Sequence, residues 1–505
     1  MRLLRLRLNK CILIYILQRE LAMKQRTMVK SQRYLALVLL SLFWALVPWQ
    51  LIAFDMSATA TATASTESAN PLYVDLRAGI KHESETFNLD CELSFDTSGT
   101  YKAPYFGDYF GDFSVDIQRA GFSYSKDGWD VILGHTPLKD MVESPYSLFQ
   151  NASGLPTLGA EVRYEDDGFF YRDRWVLLNK DLKTTLYTSS DRSIGPLSED
   201  LDIYDDRGAV LRTYGIKKGD IRFGYQDSVV FTDEYFDFNY FANPIPSIFS
   251  QYIAKAPGRP WSRTEGDHNT IMGFFADYSD YCHYVYAQIL VDDLNTNRFL
   301  NPSGPQSPDK IAWSIGGHKE SLLGTFGFYH AGATKYTFES AVGKYYSYTL
   351  YPGSVVLWKD TESPIPVEDN MLGYLHGENN ISFLGTWKGG FDKLDLAASL
   401  ELNISGSKSP ANPWHEYDNI DEEGRRTRLL DDPVLERKIV LGLEAGMPLG
   451  KFYFGGAGKI GYVANRLKAV EVPISDEDGN AQPIFEPSNE SGFIGEISIF
   501  GRYIL

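Results

Sequence analysis

The chain has 505 residues, of which 14% are aromatic, and a formal net charge of −18 at neutral pH. This charge argues against a nucleic-acid partner, which would require a basic face, and is typical of solvated acidic loops. The three cysteines, Cys11, Cys91 and Cys282, give neither metal-ligand spacing nor a disulfide framework, although a single bridge between Cys91 and Cys282 stays open.

The N-terminal region has the order of a secretory signal. Basic residues from Lys24 to Arg33 precede an apolar run over residues 34–47, and the small-residue stretch SATATATAST follows. This order predicts a cleaved signal, because the apolar run is short for a helix that crosses a bilayer. We therefore expect residues 1–64 to form an N-terminal extension and signal. The candidate cleavage sites are Ala58, Ala60, Ala62 and Ala64.

Residues 65–505 alternate apolar and polar side chains between turn residues. In PLYVDLRAGI, Leu72, Val74 and Leu76 fall on one face of the predicted strand. Some turns are short, such as the Asp-Gly of SKDGWD and the Lys-Gly of KKGDI, and suit tight hairpins. Other connections, such as NPSGPQSPDK, are long and rich in proline and polar residues. Short turns on one side and long loops on the other are typical of outer-membrane barrels.

These features predict an all-β protein, a closed antiparallel transmembrane β-barrel in the outer membrane of a cell. About 440 mature residues, at roughly 10 residues per spanning strand plus loops, give roughly 16 to 18 strands. The soluble alternatives are a β-sandwich array and a β-propeller. A propeller would show a repeat of about 40 to 50 residues, and the sequence has none.

The chain ends on an alternating strand, GFIGEISIFGRYIL. Ile497, Ile499, Tyr503 and Leu505 fall on one face, and the alternation continues to the last residue. A last strand that pairs with the first strand of a barrel needs this pattern, because an open edge would leave polar groups unpaired in lipid. We predict that ISIFGRYIL is both the closing strand and the signal read by the barrel assembly machinery.

The sequence lacks a catalytic signature. It has no G-x-S-x-G elbow and no H-E-x-x-H motif, and its histidines are scattered without metal spacing. Asp292 and Asp293 are adjacent on a strand and face opposite sides, so they cannot act as a catalytic dyad. We therefore expect no enzyme, no catalytic residue, no metal and no cofactor.

Two arginines in YRDRW, Arg172 and Arg174, share one face of a predicted strand. In a barrel lumen they would either bind an anionic sugar through bidentate contacts or pair with acidic residues in an internal salt-bridge ladder. The ladder is the favoured interpretation.

Three segments in the middle of the chain fall in a recognisable order: LGHTPLKDMVESPYSLFQNASGLPTLGAEVRYE, FDFNYFANPIPSIFSQ and DHNTIMGFFADYSDYCHYVYAQILVDDLN. Together they resemble the Wzi-like capsule assembly family. The positions that carry the resemblance are Gly134, Pro137, Ser147, Asn151, Ala152, Pro156, Asn243, Pro244, Asp267, Asn269, Tyr286, Gln288, Asp292 and Asp293.

The resemblance implies an outer-membrane barrel of about 18 strands that helps assemble or retain capsular or surface polysaccharide, as a lectin rather than a catalyst. Its partners would be outer-membrane lipid and the polysaccharide. The loops NPWHEYDN and NRFLNPSG have a composition that suits a glycan. The family's periplasmic helical segment near the mature N-terminus is not found, and the C-terminal third has only general barrel features. A general or substrate-selective porin for small solutes would look similar and stays the alternative.

Overall fold

The computed structural model describes most of the chain from residue 54 to residue 504. The gaps within this range are 69, 99–113, 181–205, 242, 255–257, 259–267, 303–306, 340–345, 352–354, 359–360, 410–426 and 471–483. Residues 1–53, which carry the predicted signal, lie outside the described residues, so that prediction stays untested.

Eighteen antiparallel strands form one closed sheet, which confirms the predicted fold class. Two further hairpins, β14–β15 and β20–β21, lie within connections between wall strands. The wall strands are β1 (Asp55–Ser65), β2 (Leu72–Glu83), β3 (Phe87–Asp96), β4 (Ser114–Lys126), β5 (Trp129–Thr136), β6 (Thr157–Glu165), β7 (Phe169–Asn179), β8 (Arg207–Lys218), β9 (Ile221–Thr232), β10 (His268–Ser279), β11 (His283–Asp293), β12 (Lys310–Ser321), β13 (Gly324–Ala333), β16 (Asn380–Phe391), β17 (Leu394–Ser405), β18 (Glu436–Leu449), β19 (Phe452–Ala464) and β22 (Gly492–Ile504). The hairpin strands are β14 (Val355–Trp358), β15 (Thr361–Pro364), β20 (Leu467–Val470) and β21 (Ile484–Pro487).

The described helices are short. Among the described residues, no helix is long and apolar enough to cross a membrane. The helices are α1 (Phe238–Phe241), α2 (Ser247–Ala254), α3 (Asn297–Leu300) and α4 (Val367–Asn370).

The last strand closes the barrel. β22 pairs with β19 on one side and with β1 on the other, where Phe500 lies opposite Thr61 and Tyr503 lies opposite Ala58. β1 in turn pairs with β2, so the 18 strands close into a ring. The predicted closing role of the C-terminal segment is therefore confirmed, and its role as an assembly signal stays a prediction.

The barrel begins at Asp55, not at residue 65 as the sequence predicted. The small-residue stretch that looks like a signal cleavage region is the strand β1, and it pairs on both sides over nearly its whole length. Alternating alanine and threonine form a strand readily, since threonine is β-branched and the period is two. Cleavage anywhere from Ala58 to Ala64 would divide this strand, so these predicted sites are incompatible with the closed barrel.

The connections differ at the two ends of the barrel. At one end the strands are joined by short turns, for example the two-residue turn Asp127-Gly128 between β4 and β5. Both turn residues have the positive φ angles, 51° and 82°, that tight hairpins need. All the long connections lie at the other end. Short turns face the periplasm in outer-membrane barrels, so the long loops are extracellular.

The outer wall carries an apolar belt. On β18, Ile439, Leu441 and Leu443 are exposed at alternate positions, and on β22 Ile497 and Ile499 are 64% and 67% exposed. Exposing such an apolar surface to water would cost free energy, whereas in a bilayer the same surface contacts the acyl chains of lipids. The alternation in the sequence therefore marks the lipid face.

A segment after β9, the described part of residues 233–254, folds back over the outside of the wall. Beneath it, Asp173, Arg212 and Asp227 lie side by side on β7, β8 and β9 and are almost fully buried. The Arg212 guanidinium donates to the carbonyl of Tyr240 in α1, and Asp227 accepts from the hydroxyl of Ser247 in α2 at 2.7 Å. The segment thus shields a charged row that would otherwise face the membrane.

The lipid-facing register can be tested with two neighbouring lysine substitutions. Ile497→Lys places a charge in lipid and should lower the free energy of unfolding by about 2–4 kcal/mol. Ser498→Lys faces the lumen and should cost much less. The measurement is urea-induced unfolding in detergent, monitored by heat-modifiable migration on a gel. Equal losses for the two variants would contradict the register.

Candidate functional site

Three segments of chain fill one half of the barrel lumen. They are residues 137–156, the described part of residues 334–351, and residues 365–379, and together we call them the lumen plug. Wall residues that contact the plug alternate with lipid-exposed neighbours: Tyr284 and Tyr286 are buried, whereas Val285 between them is 53% exposed. This alternation places the plug inside the wall. Its buried apolar residues are Leu138, Val142, Tyr146, Leu148, Phe149, Tyr336, Phe338, Tyr348, Leu350, Ile365, Val367, Met371, Leu372 and Tyr374.

Asp140 fastens the first plug segment to the wall. Its carboxylate accepts hydrogen bonds from the side-chain amides of Gln226 on β9, at 2.7 Å, and Gln288 on β11, at 3.1 Å. It also accepts from the backbone N–H of Phe149, at 3.1 Å. Gln288 in turn accepts from the N–H of Leu148 at 2.8 Å. Hydrogen bonds to a buried charge are among the stronger ones in proteins, so this cluster holds the segment firmly.

The first segment descends almost to the periplasmic end. The N–H of Glu143 donates to the hydroxyl of Tyr284 at 2.7 Å, and Arg222 donates to the carbonyl of Met141 at 3.0 Å. Tyr284 and Arg222 are each the second residue of their strand, directly after a short turn. The plug therefore runs along the lumen rather than covering only its mouth.

The same segment also spans the barrel from side to side. The carbonyl of Lys139 accepts from Arg172 on β7, and the hydroxyl of Tyr146 donates to Glu401 on β17 at 2.6 Å. β7 and β17 are eight steps apart in the order of the 18 strands, close to the nine that separate diametrically opposite strands. The loop is thus anchored to opposite walls.

A histidine links the plug to its anchor on β17. His376 is almost fully buried; one ring nitrogen lies 2.9 Å from Glu401 and the other lies 3.5 Å from Glu368. Burial lowers the pKa of His376, but the hydrogen bonds to Glu368 and Glu401 outweigh it and raise that pKa above its ordinary value. Nearby, burial is the main cause that lowers the pKa of Lys408 to about 8. The Lys408 ammonium donates to the carbonyl of His376.

The two arginines of YRDRW form the internal salt-bridge ladder. Arg172 binds both carboxylate oxygens of Glu161, each at 2.9 Å, and Arg174 lies 3.4 Å from the same carboxylate. Both arginines are almost fully buried, and Arg174 also donates to the carbonyl of Pro137 at 3.0 Å. They support the start of the plug and are not open to an anionic sugar.

The other site candidates from the sequence, the Asp292–Asp293 pair and the two cysteines, do not form a common site. Asp292 accepts from the N–H of Phe338 in the plug at 2.9 Å, whereas Asp293 lies opposite Lys310 in the register of β11 and β12. Cys91 and Cys282 are both free, which excludes the bridge that stayed open. Among the described residues, no group of three or more His, Cys, Asp or Glu side chains is placed to hold a metal.

The predicted glycan-binding loops are described only in part. NPWHEYDN lies wholly outside the described residues. NRFLNPSG is described up to residue 302 and contains α3, in which Phe299 and Leu300 are 80% and 82% exposed. This stretch therefore presents an apolar surface at the extracellular end.

Two of the three segments that carry the family resemblance meet at the plug, whereas the segment with Asn243 and Pro244 lies on the outside of the wall. Ser147 and Asn151 lie within the first plug segment, and the Asn151 amide donates to the carbonyl of Glu368 in another plug segment at 2.8 Å. Tyr286 and Gln288 are wall residues that contact the same segment. The sequence thus contained a signal for an inward-folded loop, but the signal could not be interpreted without the fold.

The other half of the lumen is polar and partly open. Its wall strands, β1–β4, β18, β19 and β22, carry ion pairs such as Arg77–Asp75 at 2.7 Å and Lys459–Glu496 at 3.0 Å. The side chains of Arg77 and Lys459 are 43% and 58% exposed. Within the described residues, the interior is therefore asymmetric.

No family model matches the sequence, and neither does any curated protein. Among solved structures, the chain is similar to Wzi of Escherichia coli, described as an outer-membrane protein involved in group 1 capsule assembly and a carbohydrate-binding β-barrel. The TM-score is 0.50 at 10% identity, over 88% of this chain and 83% of that one. The protein is an outer-membrane β-barrel.

Weaker similarities extend to other outer-membrane barrels. The chain matches Acinetobacter baumannii OccAB4 at a TM-score of 0.40 and 9% identity, over 91% of this chain and all of that one. It matches Pseudomonas aeruginosa OccK5 at a TM-score of 0.41 and 8% identity, over 90% and 97%. At such identities the similarities concern the fold alone.

Two tyrosines of the plug provide a matched test of how it is fastened. Tyr146 donates to a carboxylate, whereas Tyr348 donates to the carbonyl of Phe149 at 2.7 Å. Tyr146→Phe should lower the free energy of unfolding by about 1.5–3 kcal/mol, and Tyr348→Phe by about 0.5–1.5 kcal/mol. Urea unfolding in detergent measures both. A smaller loss for Tyr146→Phe than for Tyr348→Phe would count against the anchor on β17.

The His376 link should make stability depend on pH. Because its pKa is raised in the folded protein, its contribution is complete below a pH of about 6.5 and is lost as the pH rises through the raised value. The gap in unfolding midpoint between the native protein and His376→Gln should therefore be larger at pH about 5.5 than at pH about 8.5. If the difference in unfolding midpoint is the same at both pH values, the folded protein does not favour the protonated form of His376.

Proposed function

We propose that this barrel helps assemble or retain capsular or surface polysaccharide at the cell surface, as a lectin-like protein without enzymatic activity. The observation that carries the proposal is the first plug segment, which is fastened to opposite walls by Arg172 and Glu401. A lumen crossed in this way is poorly suited to rapid diffusion of solutes. The extracellular surface is then the place where the protein acts.

The hydrogen bonds that fasten the plug to the wall support this proposal. Asp140, Glu143 and Tyr146 each make at least one hydrogen bond to a wall side chain, and those that involve carboxylates contribute about 1.5–3 kcal/mol each. Removing the segment from the lumen would break several of these bonds together. The likeness of fold to a barrel described as carbohydrate binding agrees with the proposal.

A porin for small solutes is the second candidate, and the polar half of the lumen favours it. Charges of both signs, such as Arg119 beside Glu92 at 3.1 Å, line this half at partly exposed positions. Water-filled channels of outer-membrane barrels have polar interiors of this kind. If the protein is a porin, the plug narrows the channel through the lumen without closing it.

Conductance and glycan binding, measured in parallel, separate the two functions. The purified barrel is reconstituted in planar bilayers and is also tested for binding to the surface polysaccharide of its own cell. The matched control replaces residues 138–155 by a short glycine–serine linker, which the pairing of Thr136 with Thr157 allows. We expect little steady conductance and measurable glycan binding for the native barrel, and a large conductance for the control.

A native barrel that conducts as well as the control and binds no glycan would overturn the polysaccharide proposal and leave the porin. Glycan binding by both proteins would exclude the first plug segment as the binding surface, because the control lacks that segment.

A further inference from the structure

The barrel wall has a notch in its extracellular half. β5 and β6 have only eight and nine residues, whereas β4 has 13 and β7 has 11. The pairing between β4 and β5 stops at Ala120 and His135. Among the described residues, the stretch of β4 from residue 114 to residue 119 therefore has a strand partner only on the β3 side.

The chain above β5 and β6 turns into the lumen, so no described residue continues these two strands in this part of the wall. The strand spacing of a sheet gives the gap between β4 and β7 a width of roughly 14 Å. At its base, a ring nitrogen of His135 lies 2.7 Å from the carbonyl of Pro156, which ties the two short strands together where the chain turns inward.

A cleft of about 430 Å³ occupies the notch. This volume lies within the range of about 300–1,000 Å³ that is usual for small-molecule sites. Its outer lining belongs to the lipid face: Ile117 on β4 and Leu158 on β6 are 41% and 46% exposed. Leu177 on β7 joins them, because it follows Val176, which faces the lumen.

The inner lining of the same cleft belongs to the plug side of the wall. Leu155 and Leu178 pack against the apolar core of the plug, and Leu350 is part of that core. The cleft thus connects the lipid-facing surface with the apolar interior through the wall. At its extracellular end lie the polar side chains of Asn179 and Lys180.

We propose that the cleft binds one acyl chain of an outer-leaflet lipid, which enters the wall sideways from the membrane. The leucines of the cleft are continuous with the belt that already contacts lipid, and burial of methylene groups against them is favourable. Asp116, His135 and Thr157 line the same cleft, so the acyl chain lies along its leucine side. Asn179 and Lys180 lie on the side where the headgroup would be. This site is independent of glycan binding and of conductance.

Photo-cross-linking tests the site. A diazirine-bearing amino acid replaces one leucine per variant: Leu178 on the inner lining, Leu158 on the outer face, or Leu384 on the lumen side of β16, away from the cleft. Each barrel is reconstituted in vesicles of phosphatidylethanolamine and phosphatidylglycerol and irradiated. Only protein that migrates as folded barrel is analysed by mass spectrometry.

We expect a mass increase of one lipid at Leu158 and Leu178 and none at Leu384. Adding Leu155→Trp, which fills the cleft, should abolish the adduct at Leu178 and leave the one at Leu158. An adduct at Leu158 alone, or at neither cleft position, would overturn the proposal. Adducts at all three positions would show lipid throughout the lumen and would overturn it too.

Discussion

The structure depends on one constraint: within a bilayer, every backbone N–H and C=O needs a partner inside the protein. Pairing of β1 with β22 meets it, because it removes the last free edge of an 18-stranded sheet. The same constraint explains why the stretch SATATATAS, which consists of small residues and lies in β1, is needed for closure of the sheet.

Closure creates an interior, and the wall residues divide it into two halves. On one side, Gln226, Gln288 and Glu401 present polar groups that match the donors and acceptors of the plug. On the other side, ion pairs such as Lys459–Glu496 give the wall a polar, partly exposed inner surface. Because charged side chains fasten the plug to the wall, we expect it to behave as part of the barrel rather than as a movable loop. This rigidity links the fold to the proposed role at the surface.

Most wall strands could be predicted from the sequence, because the alternation of apolar and polar residues is a local pattern. It recurs on every strand that has one face in contact with lipid. Ile497 and Ile499 reveal their face directly, and the Asp-Gly turn reveals a hairpin. The start of the barrel was not predicted correctly, because a run of small residues such as SATATATAS is compatible with both a signal cleavage region and a β-strand. The plug was missed because Tyr146 and Glu401 are 255 residues apart in sequence, and their contact follows from closure alone. The outer segment with α1 and α2 has too few turns to give a helical period.

Amide hydrogen exchange in the first plug segment tests the central claim most directly. The N–H groups of Leu148, Phe149 and Asn151 donate to Gln288, Asp140 and the carbonyl of Leu372, and all three residues are almost fully buried. The account predicts that a peptide covering these residues is protected as strongly as the strands of the wall. Exchange at the rate of an exposed loop, in a barrel that is otherwise protected, would contradict it.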